Sequence, residues 1–415
     1  MKITIHRGTD QIGGCVTEYE HNGYRLFVDY GEQLPGYKQS VLSDIKGLTT
    51  GDLSKSALLV THYHGDHIGN INKLPKELPI YIGELAKEIQ LTLSKQLSYI
   101  DKEKQNAIIE RLKSTHCFQP GYAFSFGSFR ITPITVDHSA FDAYAFKIVA
   151  DKATVFHTGD LRTHGFRSGK LENVLSKYIG KVDYLVCEGT NVSRPDAASI
   201  SERELQQEFE KHLKKKAGHI VYMSSTNIDR LFSFYHSALR ERMPFLVDAY
   251  QKTIMDIIVK TDSLWGKAYL YQYDEDYPPI PLQRDGAEFM VNDSFKATLS
   301  KKGYVLIARA ISRFDNLIKR LPDEQVKYLS MWKGYVDKSN AAYNGNLANS
   351  LGDKYVYLHT SGHIDMADLK HIFEILQPQT IIPLHTNSPN TFAELFGDKW
   401  NVLTLHDGES IFCAK

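Results

Sequence analysis

The segment that most constrains the fold of this chain is ALLVTHYHGDHIGNI, residues 57–71. Its apolar first part predicts a buried β-strand, and several His and Asp side chains follow directly at the strand's carboxyl end, where α/β folds commonly build ligand sites. His62 and His64 are two residues apart in extended chain and point to the same side. Asp66 and His67 follow after the turn and face a second position. One loop can therefore supply two metal sites, although a solvated, His-rich turn would have the same composition.

Three further strand ends carry residues of the same chemical type. Apolar, β-rich segments are followed by His138 in ITPITVDHS, by Asp160 in ATVFHTGD and by His385 in TIIPLHT. A single histidine after a strand is more often structural than metal-bound, but this set of imidazoles and carboxylates is enough to complete two shells of ligands. The sequence therefore predicts two bound Zn²⁺ ions, with Mn²⁺ as the alternative.

The composition is that of a water-soluble globular protein with more than one core. A chain of 415 residues usually splits into two domains, and its 42% hydrophobic and 24% charged residues match ordinary globular usage. No apolar run approaches the ~20 residues that cross a bilayer, and the N-terminus lacks the apolar core of a secretory signal. We therefore expect a cytoplasmic protein without a membrane partner. Acidic and basic residues number 49 each, so any polyanion would bind in a local groove.

The order of predicted elements divides the chain into two α/β modules. Short β-rich runs, with one or two helices between residues 84 and 116, predict a sheet-dominated first module. Strands and helices then alternate as in a doubly wound sheet. The last segment, with predicted strands at Thr380–Leu384 and Asn401–Leu405, is expected to rejoin the first module. We place the first module at residues 1–195 with 351–415 and the inserted module at 196–350.

The segment HYHGDH at residues 62–67 resembles the signature of the metallo-β-lactamase superfamily, and VDYG around Asp29 resembles its first motif. The resemblance implies an αββα sandwich that holds two metal ions. The implied ligands are His62, His64 and His138 for one ion and Asp66, His67 and His385 for the other, with Asp160 bridging. Asp29 would orient a ligating histidine or the hydroxide, unless it only caps a turn before Gly31.

The inserted module narrows the resemblance to one subgroup. An insertion at this place, followed by YLHTSGH and TIIPLHT, is similar to the arrangement of the β-CASP nucleases, which include ribonuclease J. That subgroup is marked by an acidic residue after a strand and by two histidines around the return to the first domain. Here these residues are Glu188, His363 and His385. The resemblance implies a dinuclear zinc ribonuclease that hydrolyses RNA phosphodiester bonds, in endonucleolytic or 5′ exonucleolytic mode.

His363 and Glu188 are expected to form the proton-transfer pair. Histidine titrates near neutral pH and can protonate the leaving 3′ or 5′ oxygen, while a paired carboxylate fixes the tautomer of the imidazole and raises its pKa. Asp66 is counted among the catalytic residues as well as among the ligands. The alternative is that Glu188 and His363 are polar strand ends at a domain seam.

A strand–helix turn in the inserted module is the predicted phosphate contact. Backbone N–H groups and side chains at the start of a helix can cradle a phosphate, although an ordinary N-cap explains such a turn nearly as well. The residues concerned are Ser224, Ser225, Thr226 and Asn227, with Ser361 as a weaker companion.

Two departures from the ribonuclease J pattern limit what the resemblance implies. YVLIARAISRFDN stands where a Gly-Ser-rich segment is expected, so the substrate channel is expected to differ. The sequence ends soon after His385 without a counterpart of the C-terminal assembly domain, which weakens any expectation of tetramers or of processive 5′ exonuclease behaviour. A homodimer or a protein complex is left open.

Three other functions compete with an RNA nuclease. The first is a DNA nuclease of the same subgroup, which is disfavoured because histidine at the position of His385 accompanies RNA-acting members. The second is a small-molecule lactone or ester hydrolase on the same metal fold, in which His363 and Glu188 would have no role. The third is a non-catalytic RNA-processing subunit, which is disfavoured because every ligand-type residue is present.

Overall fold

A computed structural model describes residues 1–37, 42, 44–261, 271–286 and 288–413. The chain divides into two compact units, one formed by Met1–Ser199 with Gly362–Lys415 and the other by Ile200–Ser361. Among the described residues, no helix is long and apolar enough to cross a membrane.

The described part of the first unit contains two β-sheets flanked by helices, with elements numbered along the whole chain. The strands of one sheet are β1 (Lys2–Arg7), β2 (Val16–His21), β3 (Tyr24–Val28), β4 (Ser56–Leu59), β5 (Ile80–Ile82), β6 (His116–Cys117) and β21 (Ser410–Phe412). Those of the other are β7 (Phe124–Phe126), β8 (Phe129–Val136), β9 (Ala143–Ala150), β10 (Ala153–His157), β11 (Tyr184–Glu188) and β20 (Thr380–Leu384). The helices are α1 (Gly65–Ile68), α2 (Glu84–Leu97), α3 (Lys102–Lys113), α4 (Leu171–Val174), α11 (Met366–Leu376) and α12 (Pro389–Phe396). Short turns of other helix types lie at Ile71–Lys73, Ser168–Lys170 and Leu175–Ile179.

Strand direction brings the functional loops to one edge. The sheet orders are β21-β1-β2-β3-β4-β5-β6 and β20-β11-β10-β9-β8-β7. β10, β11 and β20 are parallel, and β8 runs the same way because β9 is antiparallel to both β8 and β10. In the other sheet, β3, β4 and β5 are parallel. The loops that follow parallel strands leave a sheet at one edge, which is where α/β folds place ligands.

The core of the first unit lies between its two sheets. Alternating side chains of β3 and β4, such as Leu26 and Leu59, join Phe146 and Val186 of the other sheet in one buried apolar cluster. Helices α11 and α12 cover the outer face of the second sheet through a separate cluster that includes Phe373. Helices α2 and α3 bury their own apolar faces. The predicted αββα metallo-β-lactamase sandwich of the α/β class is confirmed.

The second unit is a doubly wound α/β domain, as expected for the insertion. Its parallel sheet has the order β14-β13-β17-β12-β18-β19. These strands are β12 (Gly218–Tyr222), β13 (Phe245–Val247), β14 (Ile280–Pro281), β17 (Tyr304–Ala308), β18 (Gln325–Leu329) and β19 (Val356–Tyr357), and an antiparallel pair is formed by β15 (Arg284–Asp285) and β16 (Glu288–Phe289). The helices are α5 (Glu202–His212), α6 (Ile228–Arg240), α7 (Ala249–Lys260), α8 (Asp293–Lys302), α9 (Ser312–Arg320) and α10 (Gly345–Leu351), with a 3₁₀ turn at Lys333–Val336.

The unit boundaries lie later in the chain than the sequence placed them. The predicted boundaries followed residues 195 and 350, whereas the units meet after Ser199 and after Ser361. The stretch 351–361 belongs to the second unit because β19 pairs in parallel with β18 and the Thr360 hydroxyl donates a hydrogen bond to the Ile200 carbonyl. The closing segment of the first unit therefore begins at Gly362, and the predicted start at residue 351 is corrected.

Candidate metal centre

The predicted ligands come from loops far apart in sequence that meet at one edge of the first unit. β8, β10 and β20 end just before His138, Asp160 and His385, and β4 of the other sheet ends just before His62. Ligand atoms of the predicted residues approach to within 4.8 Å of one another in several overlapping groups. The strand ends therefore gather the seven candidate ligands in one place.

Asp160 lies at the centre of this cluster. Its Oδ2 is 3.2 Å from His67 Nε2, 3.5 Å from His385 Nε2 and 3.9 Å from both His62 Nε2 and His138 Nε2. The side chain is buried, and within the described chain its Oδ1 has no hydrogen-bond partner. A carboxylate surrounded by four imidazoles, with one oxygen still unsatisfied, has the position that a bridging ligand needs.

One half of the cluster consists of His62, His64 and His138. The His138 Nε2 and His64 Nδ1 atoms are 3.2 Å apart. The other nitrogen of His138, Nδ1, donates a hydrogen bond of 2.6 Å to the Gly362 carbonyl, which leaves the Nε2 lone pair facing the cluster. His62 Nδ1 is 3.0 Å from Thr61 Oγ1, while its buried Nε2 has no hydrogen-bond partner among the described residues.

The other half consists of Asp66, His67 and His385, with Asp29 behind it. His385 Nε2 is 3.3 Å from Asp66 Oδ2. His67 Nδ1 donates a 2.7 Å hydrogen bond to Asp29 Oδ2, and the amide and hydroxyl of Thr61 each donate to the same carboxylate over 2.8 Å. Asp29 therefore makes the contact that orienting a ligating histidine requires, rather than only capping a turn.

Most of the charge states of the cluster suit metal ligation. His67 is the exception, because burial alone would lower its pKa but the carboxylates of Asp160 and Asp66 raise it. Burial, together with the neighbouring imidazoles, holds the pKa of His62 and of His138 well below the usual value, and burial lowers that of His64 to about 4. Burial alone would raise the pKa of Asp66, but His67 and His385 lower it below its usual range. Neutral imidazoles and ionised carboxylates are the forms that bind Zn²⁺, so the donor set fits a pair of transition-metal ions.

His363 and Glu188 form a pair beside the cluster. His363 Nδ1 is 2.9 Å from Glu188 Oε2 and 3.8 Å from Asp160 Oδ2. The other oxygen of Glu188 accepts a 2.8 Å hydrogen bond from the Leu161 amide, which fixes the carboxylate. Burial alone would lower the pKa of His363, but the carboxylates of Glu188 and Asp160 raise it to about 9. The imidazole can therefore hold a proton next to the candidate metal centre.

The groups that orient these side chains were not predicted from the sequence. Thr190 Oγ1 lies 2.8 Å from His385 Nδ1, and Asp137 accepts hydrogen bonds from Arg162 Nε over 2.8 Å and from the Arg167 amide over 2.7 Å. The buried Asp137 thereby fixes the loop that carries the candidate ligand His138. Asp137 precedes His138 and Thr190 follows Glu188 by two positions. Nothing else in the sequence marks these groups, because their partners lie on other loops.

The predicted phosphate contacts lie in the second unit. Ser224, Ser225, Thr226 and Asn227 connect β12 to α6, as the sequence indicated. Asn227 Oδ1 accepts a hydrogen bond from the Arg230 amide, and Ser225 Oγ accepts one from Gln251 Nε2. These are the contacts of a helix N-cap and of the residue that supports it. Of the four turn residues, only Ser224 is exposed. Ser361 is the last residue of the unit. Phosphate binding here stays a prediction.

The donor set leads to a measurable prediction. We expect the purified protein, reconstituted and desalted, to carry about two Zn²⁺ or Mn²⁺ ions per chain by elemental analysis, because two groups of ligands share one carboxylate. His62→Ala should lower this stoichiometry, and His371→Ala, which changes an exposed histidine of α11, should not. Trace metal in the unaltered protein, or the same content in His62→Ala, would rule out the dinuclear centre.

Comparison with known proteins agrees with this geometry. A model described as "Beta-lactamase superfamily domain" matches residues 51–220. Ribonuclease J of Mycolicibacterium smegmatis is 25% identical over 93% of this chain and 68% of its own length, and that of Sinorhizobium meliloti is 25% identical over 90% and 66%. Ribonuclease J of Helicobacter pylori is 22% identical over 99% of this chain and 60% of its own length. The chain thus spans about two thirds of the length of these relatives.

A solved structure shows the same fold along the whole chain. The crystal structure of a protein of unknown function from Enterococcus faecalis superposes with a TM-score of 0.73, at 20% sequence identity, and the match covers 99% of each chain. This chain is therefore ribonuclease J-like over most of its length, and its residues 51–220 match the β-lactamase superfamily domain.

Proposed function

We propose that this protein is a metal-dependent nuclease that hydrolyses RNA phosphodiester bonds. The observation that carries the proposal is the His363–Glu188 pair, 2.9 Å apart, beside the seven candidate ligands. Hydrolysis of an unactivated phosphodiester expels a poor leaving group, which benefits from a positioned proton donor. The similarity to ribonuclease J along most of the chain supports RNA as the substrate class.

The candidate ligands would hold two divalent cations, with zinc proposed first and manganese second. His62, His64 and His138 form one group, Asp66, His67 and His385 form the other, and Asp160 lies between them. When bound, such a pair of cations lowers the pKa of a water molecule and stabilises the charge on the phosphoryl oxygens.

The protein's own residues supply orientation and a proton. Asp29 and the Gly362 carbonyl hold the Nδ1 atoms of His67 and His138, so the Nε2 atoms face the centre. As the bond between phosphorus and the leaving oxygen breaks, His363 gives its proton to that oxygen and becomes neutral. Glu188 keeps its charge throughout and holds the ring in place. The turn at 224–227, with Ser361, is proposed to contact substrate phosphates.

One assay tests the proposed function against its competitors. Protein supplied with Zn²⁺ or Mn²⁺ is incubated with RNA and DNA of one sequence, each labelled at either the 5′ or the 3′ end. We expect metal-dependent cleavage of RNA that a chelator stops, and slower cleavage of DNA. Mononucleotides from the 5′ end would indicate exonuclease action, and internal fragments would indicate endonuclease action.

Two results would contradict the proposal. Cleavage of DNA alone would make the RNA assignment wrong. Hydrolysis of lactones or simple esters without cleavage of either nucleic acid would identify a small-molecule hydrolase, in which His363 and Glu188 have no catalytic part.

A further inference from the structure

We infer that Thr190 is a positioning residue whose hydroxyl fixes the ring nitrogens of both His363 and His385, the proposed proton donor and a proposed metal ligand. The inference rests on the proposed function. Thr190 Oγ1 is 2.8 Å from His385 Nδ1 and 3.2 Å from His363 Nδ1. One hydroxyl therefore contacts both the proposed proton donor and a proposed metal ligand.

The backbone holds Thr190 firmly in this position. The residue follows β11 by two positions, and the amide of the intervening Gly189 donates a 2.9 Å hydrogen bond to the Leu384 carbonyl at the end of β20. A Cβ atom at Gly189 would lie 3.0 Å from the Phe392 ring and 3.1 Å from Thr386 Cβ. The turn is therefore packed between neighbouring segments at Gly189, directly before Thr190.

The hydrogen-bonding capacity of one hydroxyl matches what surrounds it. A threonine hydroxyl accepts two hydrogen bonds and donates one. His385 Nε2 lies 3.3 Å from Asp66 Oδ2, inside the candidate centre, so a ligating His385 carries its proton on Nδ1 and donates it to Thr190. His363 Nδ1 donates to Glu188 and also lies within reach of the second Thr190 lone pair. The Thr190 hydrogen points to the His385 carbonyl over 3.4 Å.

The two histidines depend on Thr190 to different degrees. His363 Nδ1 has Glu188 as its nearer partner at 2.9 Å, whereas Thr190 is the 2.8 Å partner of His385 Nδ1. Loss of the hydroxyl should therefore disturb the metal ligand more than the proton donor. The rings of His363 and His385 are 5.3 Å apart and inclined by 31°, so a rotation of His385 also changes the distance between the proton donor and the metal centre.

The test compares Thr190→Val, which keeps the shape and removes the hydroxyl, with Thr190→Ser, which keeps the hydroxyl. Zinc affinity is measured by competition with a chromophoric chelator, without RNA. We expect one of the two ions to bind about 10–100-fold more weakly to Thr190→Val, the usual effect of removing a group that orients a ligand. Thr190→Ser should bind both ions as the unaltered protein does.

A second measurement separates positioning from substrate binding. At saturating metal, Thr190→Val should cleave RNA with a lower kcat and an unchanged KM, because a positioning residue acts through the two histidines, and Thr190→Ser should recover most of the kcat. Equal zinc affinity in all three proteins, or equal weakening in both variants, would overturn the inference. The zinc titration needs no RNA cleavage, so a protein that binds two ions but cuts no RNA would contradict the proposed function while leaving the role of Thr190 testable.

Discussion

Asp160→Ala is expected to lose both metal ions together and to cleave RNA about 10³-fold more slowly or worse. The buried Asp160 carboxylate lies within 3.9 Å of imidazoles from both halves of the cluster, so its removal opens both groups of ligands at once. Metal ions contribute several kcal/mol to stabilising the phosphoryl transition state, and each ~1.4 kcal/mol is a factor of ten in rate. Elemental analysis of the desalted protein and initial rates on end-labelled RNA measure the two effects.

Two variants serve as controls for Asp160→Ala. His385→Ala should lose mainly one ion, since His385 belongs to one group of ligands. Asp151→Asn changes an exposed aspartate in the turn between β9 and β10 and should keep both ions and full activity. Retention of two ions by Asp160→Ala, or equal losses in Asp160→Ala and His385→Ala, would contradict the bridging position. Circular dichroism of the metal-free proteins checks that the fold survives.

His363→Ala is expected to keep its metal ions and its fold but to cleave RNA ~10²–10⁴-fold more slowly, which is the usual effect of losing a positioned proton donor. The reason is that the leaving oxygen of RNA must be protonated as the bond to phosphorus breaks. Bis-p-nitrophenyl phosphate expels an anion that needs little protonation, so the same variant should retain most of its activity on this ester. Rates on both substrates, with metal content measured in parallel, give the comparison.

Glu188→Gln should show the same selectivity as His363→Ala in a milder form. The amide keeps an oxygen for the Leu161 amide but no longer carries the charge that holds the proton on His363. Equal losses on RNA and on the activated ester would mean that His363 supports the metal centre rather than proton transfer. Unchanged RNA cleavage in His363→Ala would mean that another group supplies the proton.

The sequence could predict where the ligands meet because strand direction decides it. An apolar strand followed by His62, or by Asp160, implies a polar loop at the carboxyl edge of a sheet, and parallel strands bring such edges together. The groups that orient the ligands could not be predicted this way. The Gly362 carbonyl and the Thr190 hydroxyl are partners of His138 and His385 across more than a hundred residues, and neither has a distinctive spacing.

Two errors in the fold have related physical causes. The strand predicted at Asn401–Leu405 is only a bridge between Ile381 and Val402, and its apolar residues are explained by burial, since Leu405 joins the core between the sheets. The closing segment starts later than predicted because the short strand β19 pairs with β18. In both cases hydrogen-bond pairing with strands elsewhere in the chain decided the assignment.

The parallel pairing of β20 with β11, in which Leu384 lies opposite Glu188, also bears on how the protein is made. His385 follows β20 directly, so the candidate centre lacks a ligand until β20 has been synthesised and has docked beside β11. Loops joined across such distances close late in folding. Under the proposed function, a nascent chain in which β20 has not yet docked beside β11 is an inactive precursor.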